Sequence, residues 1–162
     1  MRQITRQLKG DCALPQLNVQ SWLTDKMTKS QRHPTELLAP ISIGELIDKI
    51  TILEIKVERM SESQKLRNVT VELDMLRALI TKTGLDTVEM APYVQELKSI
   101  NAALWDIEDE IREHEMRGDF GPRFVELARS VYKTNDLRAH AKQRINVAFG
   151  SGIIEEKSYK GA

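Results

Sequence analysis

Two cations stand on a line that the sequence otherwise marks as inward-facing. Taking residues 122–149 as one helix with Val131 as the reference angle, Phe124, Ala128, Asn135, Arg138, Lys142, Ile145 and Phe149 all fall within about 60° of it. The ends of this seam are apolar and its middle is polar. A buried Arg or Lys is costly unless it meets an opposite charge and satisfies its N–H groups, so Arg138 and Lys142 require carboxylates or a bound anion between the helices. Two other stretches offer partners. Glu45, Lys49 and Lys56 line one edge of a helix that starts at Ser42, with Asp48 beside its minor apolar face, and Asn101, Trp105, Glu108 and Arg112 form a stripe along a third helix. Glu45, Asp48, Lys49, Trp105, Glu108, Arg112, Asn135, Arg138 and Lys142 are therefore the expected ligand-binding set, side chains of both signs that would orient an anionic small molecule in an inter-helical pocket. The same residues would equally serve as an internal salt-bridge network that sets helix register. A break near Thr134–Asp136 would instead turn Arg138 and Lys142 into solvent.

Spacing bears on more specific chemistries. Glu45/Asp48 and Glu110/Glu113 have the i, i+3 carboxylate spacing with which a helical nucleotide pyrophosphatase holds Mg²⁺, but the ExxD pair precedes the ExxE pair, the reverse of that pattern. Arg112, Arg129, Arg138, Lys49 and Lys142 are the residue types with which a chorismate-mutase-like bundle holds a dianion without metal or nucleophile, although the whole pattern does not align. His33, His114 and His140 form no zinc spacing, and no metal or other cofactor is expected. Gly150-Ser151-Gly152 follows a helix rather than opening one, so it reads as a stop and not a phosphate loop, and Arg117-Gly118-Asp119 reads as a helix terminus. No catalytic residue can be assigned.

The elements that must position these side chains are helical. Ser42 and Glu45 form an S-x-x-E capping box, and Leu46, Ile50, Leu53, Val57 and Met60 follow at four-three spacing, while Ile52 and Ile55 fall on the opposite side. A helix with apolar contacts on two sides belongs at the centre of a bundle. Leu66, Val69, Leu73, Leu76 and Ile80 mark a second helix ended by Gly84. Asp86 and Glu89 make another capping box, and Pro92 predicts a short turn before a long third helix with the proline in its first turn, carried by Leu97, Ile100, Leu104, Ile107 and Ile111 until Gly118. Pro122, with Asp119 as cap, opens a fourth helical region that ends near Phe149. No strand alternation or repeat is present. The expected fold is all-α, an antiparallel bundle of three to four long helices spanning residues 41–162 with a short charged tail from Ile153. Residues 1–40 have no apolar period and six basic against three acidic residues, and they read as a loosely attached N-terminal extension that Trp22 and Leu23 could pin.

Composition bounds the partners. The 162 residues make one domain, and 24 basic against 24 acidic residues create no overall field that would steer the chain onto nucleic acid or a membrane. Cys12 is the only cysteine, no apolar run spans a bilayer, and no signal core follows the basic start, so the expected location is the cytoplasm.

Ser42–Lys56 (SIGELIDKITILEIK), Leu104–Arg112 (LWDIEDEIR), Leu127–Ala139 (LARSVYKTNDLRA) and Glu155–Tyr159 (EEKSY) together resemble a family of short bacterial proteins of unknown function. The resemblance covers about residues 41–160. It implies no reaction; members are often encoded near glycosyltransferases of surface polysaccharide synthesis, which implies a pathway. The leading expectation is a bacterial cytoplasmic protein whose polar pocket takes an anionic metabolite. The alternative is a non-enzymatic homo-oligomer in which leftover apolar surface of the second or third helix joins copies and the polar seam only sets register.

Overall fold

The computed structural model describes residues 38–85 and 87–156. Residues 1–37, with Cys12, Trp22 and His33, lie outside the described residues, and with them the expectation of a loosely attached N-terminal arm; so do Asp86 and residues 157–162.

Four helices follow one another: α1 (Ile43–Arg59), α2 (Ser63–Thr83), α3 (Thr87–Arg117) and α4 (Pro122–Ala148). The fold is all-α, and no strand occurs among the described residues. α1 begins at the expected cap, with the Ser42 hydroxyl accepting the Glu45 N–H at 3.1 Å, while the Glu45 carboxylate pairs with Lys142. Leu46, Ile50 and Leu53 are buried, whereas Val57, further along the same line, is 39% exposed because α1 emerges from the core before it ends. On the minor side Ile55 is also buried. Apolar contacts on two sides give α1 the central position: it packs against each of the other three helices.

α2 returns over α1 with Leu73 and Ile80 buried and stops at Gly84, whose φ of +71° is the left-handed conformation that glycine adopts without steric cost. α3 does not wait for Pro92: it starts at Thr87 and carries the proline inside. Proline removes one backbone N–H near the helix start, and Met90 and Leu97, both buried on either side of it, hold the segment against α1. The Leu97–Ile111 seam is as expected, with Leu97 and Leu104 buried.

α3 and α4 form an antiparallel hairpin tied from end to end by Glu110–Arg123 and Glu96–Arg144. Gly121 takes the N-cap position ahead of Pro122, and Asp119 contributes by accepting the Gly121 N–H and by pairing with the buried His114. α4 runs unbroken through Thr134–Asp136. Arg138 and Lys142 therefore do face the interior; on the same seam Ala128 is exposed and Leu127 is buried in its place.

Candidate functional site

The polar middle of α4 meets α1 and α3 in a layered set of hydrogen bonds. Asp48 is buried among the helices at 1% exposure, and Arg138 grips it side-on: Nε lies 2.9 and 3.2 Å from the two carboxylate oxygens and Nη2 lies 2.6 Å from Oδ2. From α3, Asn101 Nδ2 donates to Asp48 Oδ1 at 2.9 Å and to Thr51 Oγ1 at 3.0 Å. Thr51, one turn along α1, donates its own hydroxyl to the Asp48 carbonyl. The carboxylate is thus satisfied by donors from two other helices, the condition under which a buried charge is tolerated. The hydrogen bond to Asp48 is the main reason that the Arg138 guanidinium is held above its ordinary range, despite the opposing effect of burial.

One turn further along α4, Lys142 is 8% exposed, and its Nζ lies between Glu45 Oε2 at 2.7 Å and Glu155 Oε2 at 2.6 Å. Burial pulls the ammonium pKa down most strongly, but the hydrogen bonds to Glu155 and Glu45 outweigh it and hold the group above the usual lysine range. Below this pair the helices come very close. Gly44 N donates to Asn146 Oδ1 at 2.7 Å, and a Cβ on Gly44 would lie 2.5 Å from the Lys142 carbonyl oxygen, so the crossing of α1 and α4 has no room for a side chain. The Ile43 N–H donates to the Ser151 hydroxyl at 3.2 Å. With Ser42 on Glu45, these bonds engage the first N–H donors of α1 with residues of the chain itself.

Beside the layer lies a groove of ≈ 360 Å³. Ile52, Leu104 and Trp105 supply its apolar walls, and Glu108, Asp109, Arg112 and Arg138 supply charges of both signs. Trp105 is half-buried, steadied by the Arg59 guanidinium 5.9 Å from its ring centre, which is itself paired with Asp106. Arg112 is exposed and only loosely bonded to Glu108, at 3.4 Å.

The expected set thus falls into three places. Trp105, Glu108, Arg112 and Arg138 share the groove; Asp48 lies behind it, and Asn135 accepts a long 3.4 Å bond from Arg138 Nη1. Glu45 and Lys142 form a separate cluster with Glu155. Lys49 belongs to neither: it is on the α2 side of α1 and pairs with Glu72 at 2.6 Å, because one residue beyond Asp48 turns a helical side chain by about 100°. Thr51, Asn101, Asp109, Asn146 and Glu155 were not in the expected set, although the stripe through Trp105 includes Asn101. Thr51 and Asn146 are ordinary polar residues whose burial only becomes evident once helices distant in sequence are brought together, and Glu155 is one of many acidic residues.

The model of a family of unknown function, DUF6165, matches residues 37–162. The chain belongs to that family. The match takes in all four helices and the tail with Glu155, so both the groove and the Lys142 cluster are built entirely from the DUF6165 region. No curated protein and no solved structure matches the chain.

The geometry also bears on the other chemistries. Glu45 and Asp48 are engaged by Lys142 and Arg138 near one end of α4, whereas Glu110 is engaged by Arg123 at the other end and Glu113 by Arg117. The two carboxylate pairs do not converge. Among the described residues no group of three or more His, Cys, Asp or Glu is placed to hold a metal ion, and no helix is long and apolar enough to cross a membrane.

Proposed function

We propose that this DUF6165 protein binds a small anionic metabolite in the Trp105 groove, acting in the bacterial cytoplasm as an accessory to surface polysaccharide synthesis. The pathway rests on the family resemblance alone. The binding reading rests on one observation: Arg138 uses the Nε/Nη2 side of its fork on buried Asp48, while the same residue lines the groove together with Trp105 and Arg112. A guanidinium has five N–H donors, and the bonds to Asp48 and the long Nη1 contact to Asn135 use only part of them, which leaves Arg138 able to donate to an oxyanion in the groove. Arg112 provides a second cation, Trp105 a flat apolar surface, and Glu108 and Asp109 acceptors for hydroxyl or amino groups of the ligand. Lys142, which already contacts two carboxylates, is not part of this groove. No reaction is assigned.

The test uses Trp105 as reporter. The chain has two tryptophans, so Trp22→Phe leaves Trp105 alone, and phosphate- and carboxylate-bearing metabolites are titrated against its fluorescence. A saturable change that disappears in Arg112→Gln is the expected result; Arg112 is exposed, so this variant should fold as the parent does. A panel that leaves Trp105 silent, or binding indifferent to Arg112→Gln, removes the reading. A true ligand at 100 times its Kd should also add about 2.7 kcal/mol of stability.

A second reading, a homo-oligomer, is favoured by one surface. Val71, Met75 and Leu79 follow one another at four-residue spacing on α2 and are 61%, 50% and 42% exposed, while Leu73 and Ile80 face α1. Light scattering on the parent and on Met75→Glu tests it: a dimer mass that falls to the monomer in the variant is the expected signature.

A further inference from the structure

We propose that Glu155 is a displaceable occupant of an oxyanion seat at Lys142, so that the C-terminal tail controls whether a phosphate-bearing small molecule can bind there. The charge arrangement carries the inference. Arg138 and Lys142 are matched by Asp48 and Glu45 from the same face of α1, which neutralises the layer using helices alone. Glu155 then adds a third carboxylate on a second side of the Lys142 ammonium, at 2.6 Å, in excess of what the cations require. It is presented by a different kind of structure. Residues 152–156 are exposed and non-helical, and Glu155 is about half exposed, whereas the Lys142 side chain that it caps is 10% exposed.

The way in which the tail is anchored makes the contact separable. Ser151 is fixed at both sides, its N–H on the Asn146 carbonyl at 2.8 Å and its hydroxyl accepting from Ile43, and the same hydroxyl donates to the Ile153 carbonyl. Beyond that anchor, residues 152–156 are exposed, and Glu155 meets the bundle through Lys142, so release of that one ion pair is the step that opens the seat. Releasing Glu155 exposes an ammonium already oriented by Glu45, with Arg138 one helical turn away, and leaves two cations balanced by two carboxylates, with an ammonium N–H turned over to a new oxyanion. The seat is distinct from the groove and shares only Arg138 with it; its test does not depend on Trp105.

The experiment compares the full chain with Glu155→Gln, titrating inorganic phosphate at constant ionic strength and reading the melting temperature. The uncharged amide keeps the tail's shape and lifts the competition, so phosphate should stabilise the variant with an apparent affinity about fivefold or more above the parent's, and adding Lys142→Met should abolish that response. Equal responses of parent and Glu155→Gln overturn the proposal, as does a response that survives Lys142→Met in the Glu155→Gln background. A Glu155→Gln chain that no longer melts cooperatively overturns it too, because the tail would then be a structural strut. Failure here with a ligand-sensitive Trp105 leaves the groove reading standing, and a silent Trp105 with a phosphate-responsive Glu155→Gln leaves this one.

Discussion

Asp48 sets the energetics at the residue scale. It is the most deeply buried carboxylate described, and its oxygens depend on Arg138 and Asn101. Truncating Arg138 strands that charge, so Arg138→Met should lose about 3 to 5 kcal/mol in urea unfolding. Had the two seam cations faced one another with no carboxylate between them, the same substitution would instead have relieved repulsion, and an unchanged or raised stability would show that the Asp48 pairing is not made in solution. Lys142→Met should cost clearly less, because Glu45 and Glu155 are about half exposed and return to water when the ammonium is removed. Lys142 also gives a pH dependence with a definite sign. Its folded pKa is raised, so its contribution is complete below the ordinary lysine range and is lost only as pH climbs through and above that range. A stability–pH profile should therefore lose a basic-limb component in Lys142→Met; a change confined to the acid limb would contradict the assignment.

At the scale of elements, the periodicities of α1, α3 and α4 were legible because each buries a stripe that repeats every three or four residues, and burial alone is enough to mark it. Continuity of α4 through Thr134–Asp136 made the Arg138/Lys142 placement correct, and the central position of α1 followed from Ile55 lying opposite Leu53. Leu53→Ala should accordingly cost about 2 to 5 kcal/mol, measured by denaturant unfolding, with a cost below about 0.5 kcal/mol placing α1 at the periphery. What could not be read were contacts between residues about a hundred positions apart. Gly44 carries no periodic signal, yet its missing Cβ lets α1 approach Lys142 and Asn146. Gly44→Ala should destabilise by roughly 1 to 3 kcal/mol through the clash with a backbone oxygen that has little room to move, and a neutral result by thermal unfolding would show that the two helices separate easily. Lys49 shows the converse limit: it shares a helix edge with Glu45, but that edge borders α2 as well as α4, and the side chain reaches Glu72.

For the whole molecule, the described core is drawn from the four helices themselves. Leu46, Ile47, Ile50 and Leu53 of α1, Leu73 and Ile80 of α2, Met90 and Leu97 of α3, and Ala141 and Ile145 of α4 form one contiguous apolar cluster, with Phe149 and Tyr93 packed edge to face at its margin. The family match begins at residue 37, close to where the first described residues lead into α1. A chain starting there retains each of these contacts, the Ser42 cap, the Asp48 layer and the Glu155 tail. Deleting residues 1–36 should therefore leave both the midpoint and the slope of urea unfolding nearly unchanged, since the slope tracks the surface exposed on unfolding and the bundle supplies that surface. A midpoint that falls with the slope preserved would mean that the extension stabilises the bundle by docking on it. A reduced slope or loss of the cooperative transition would mean more: Trp22 and its neighbours would then belong to the cooperative unit, and the helical region would not be a domain in its own right.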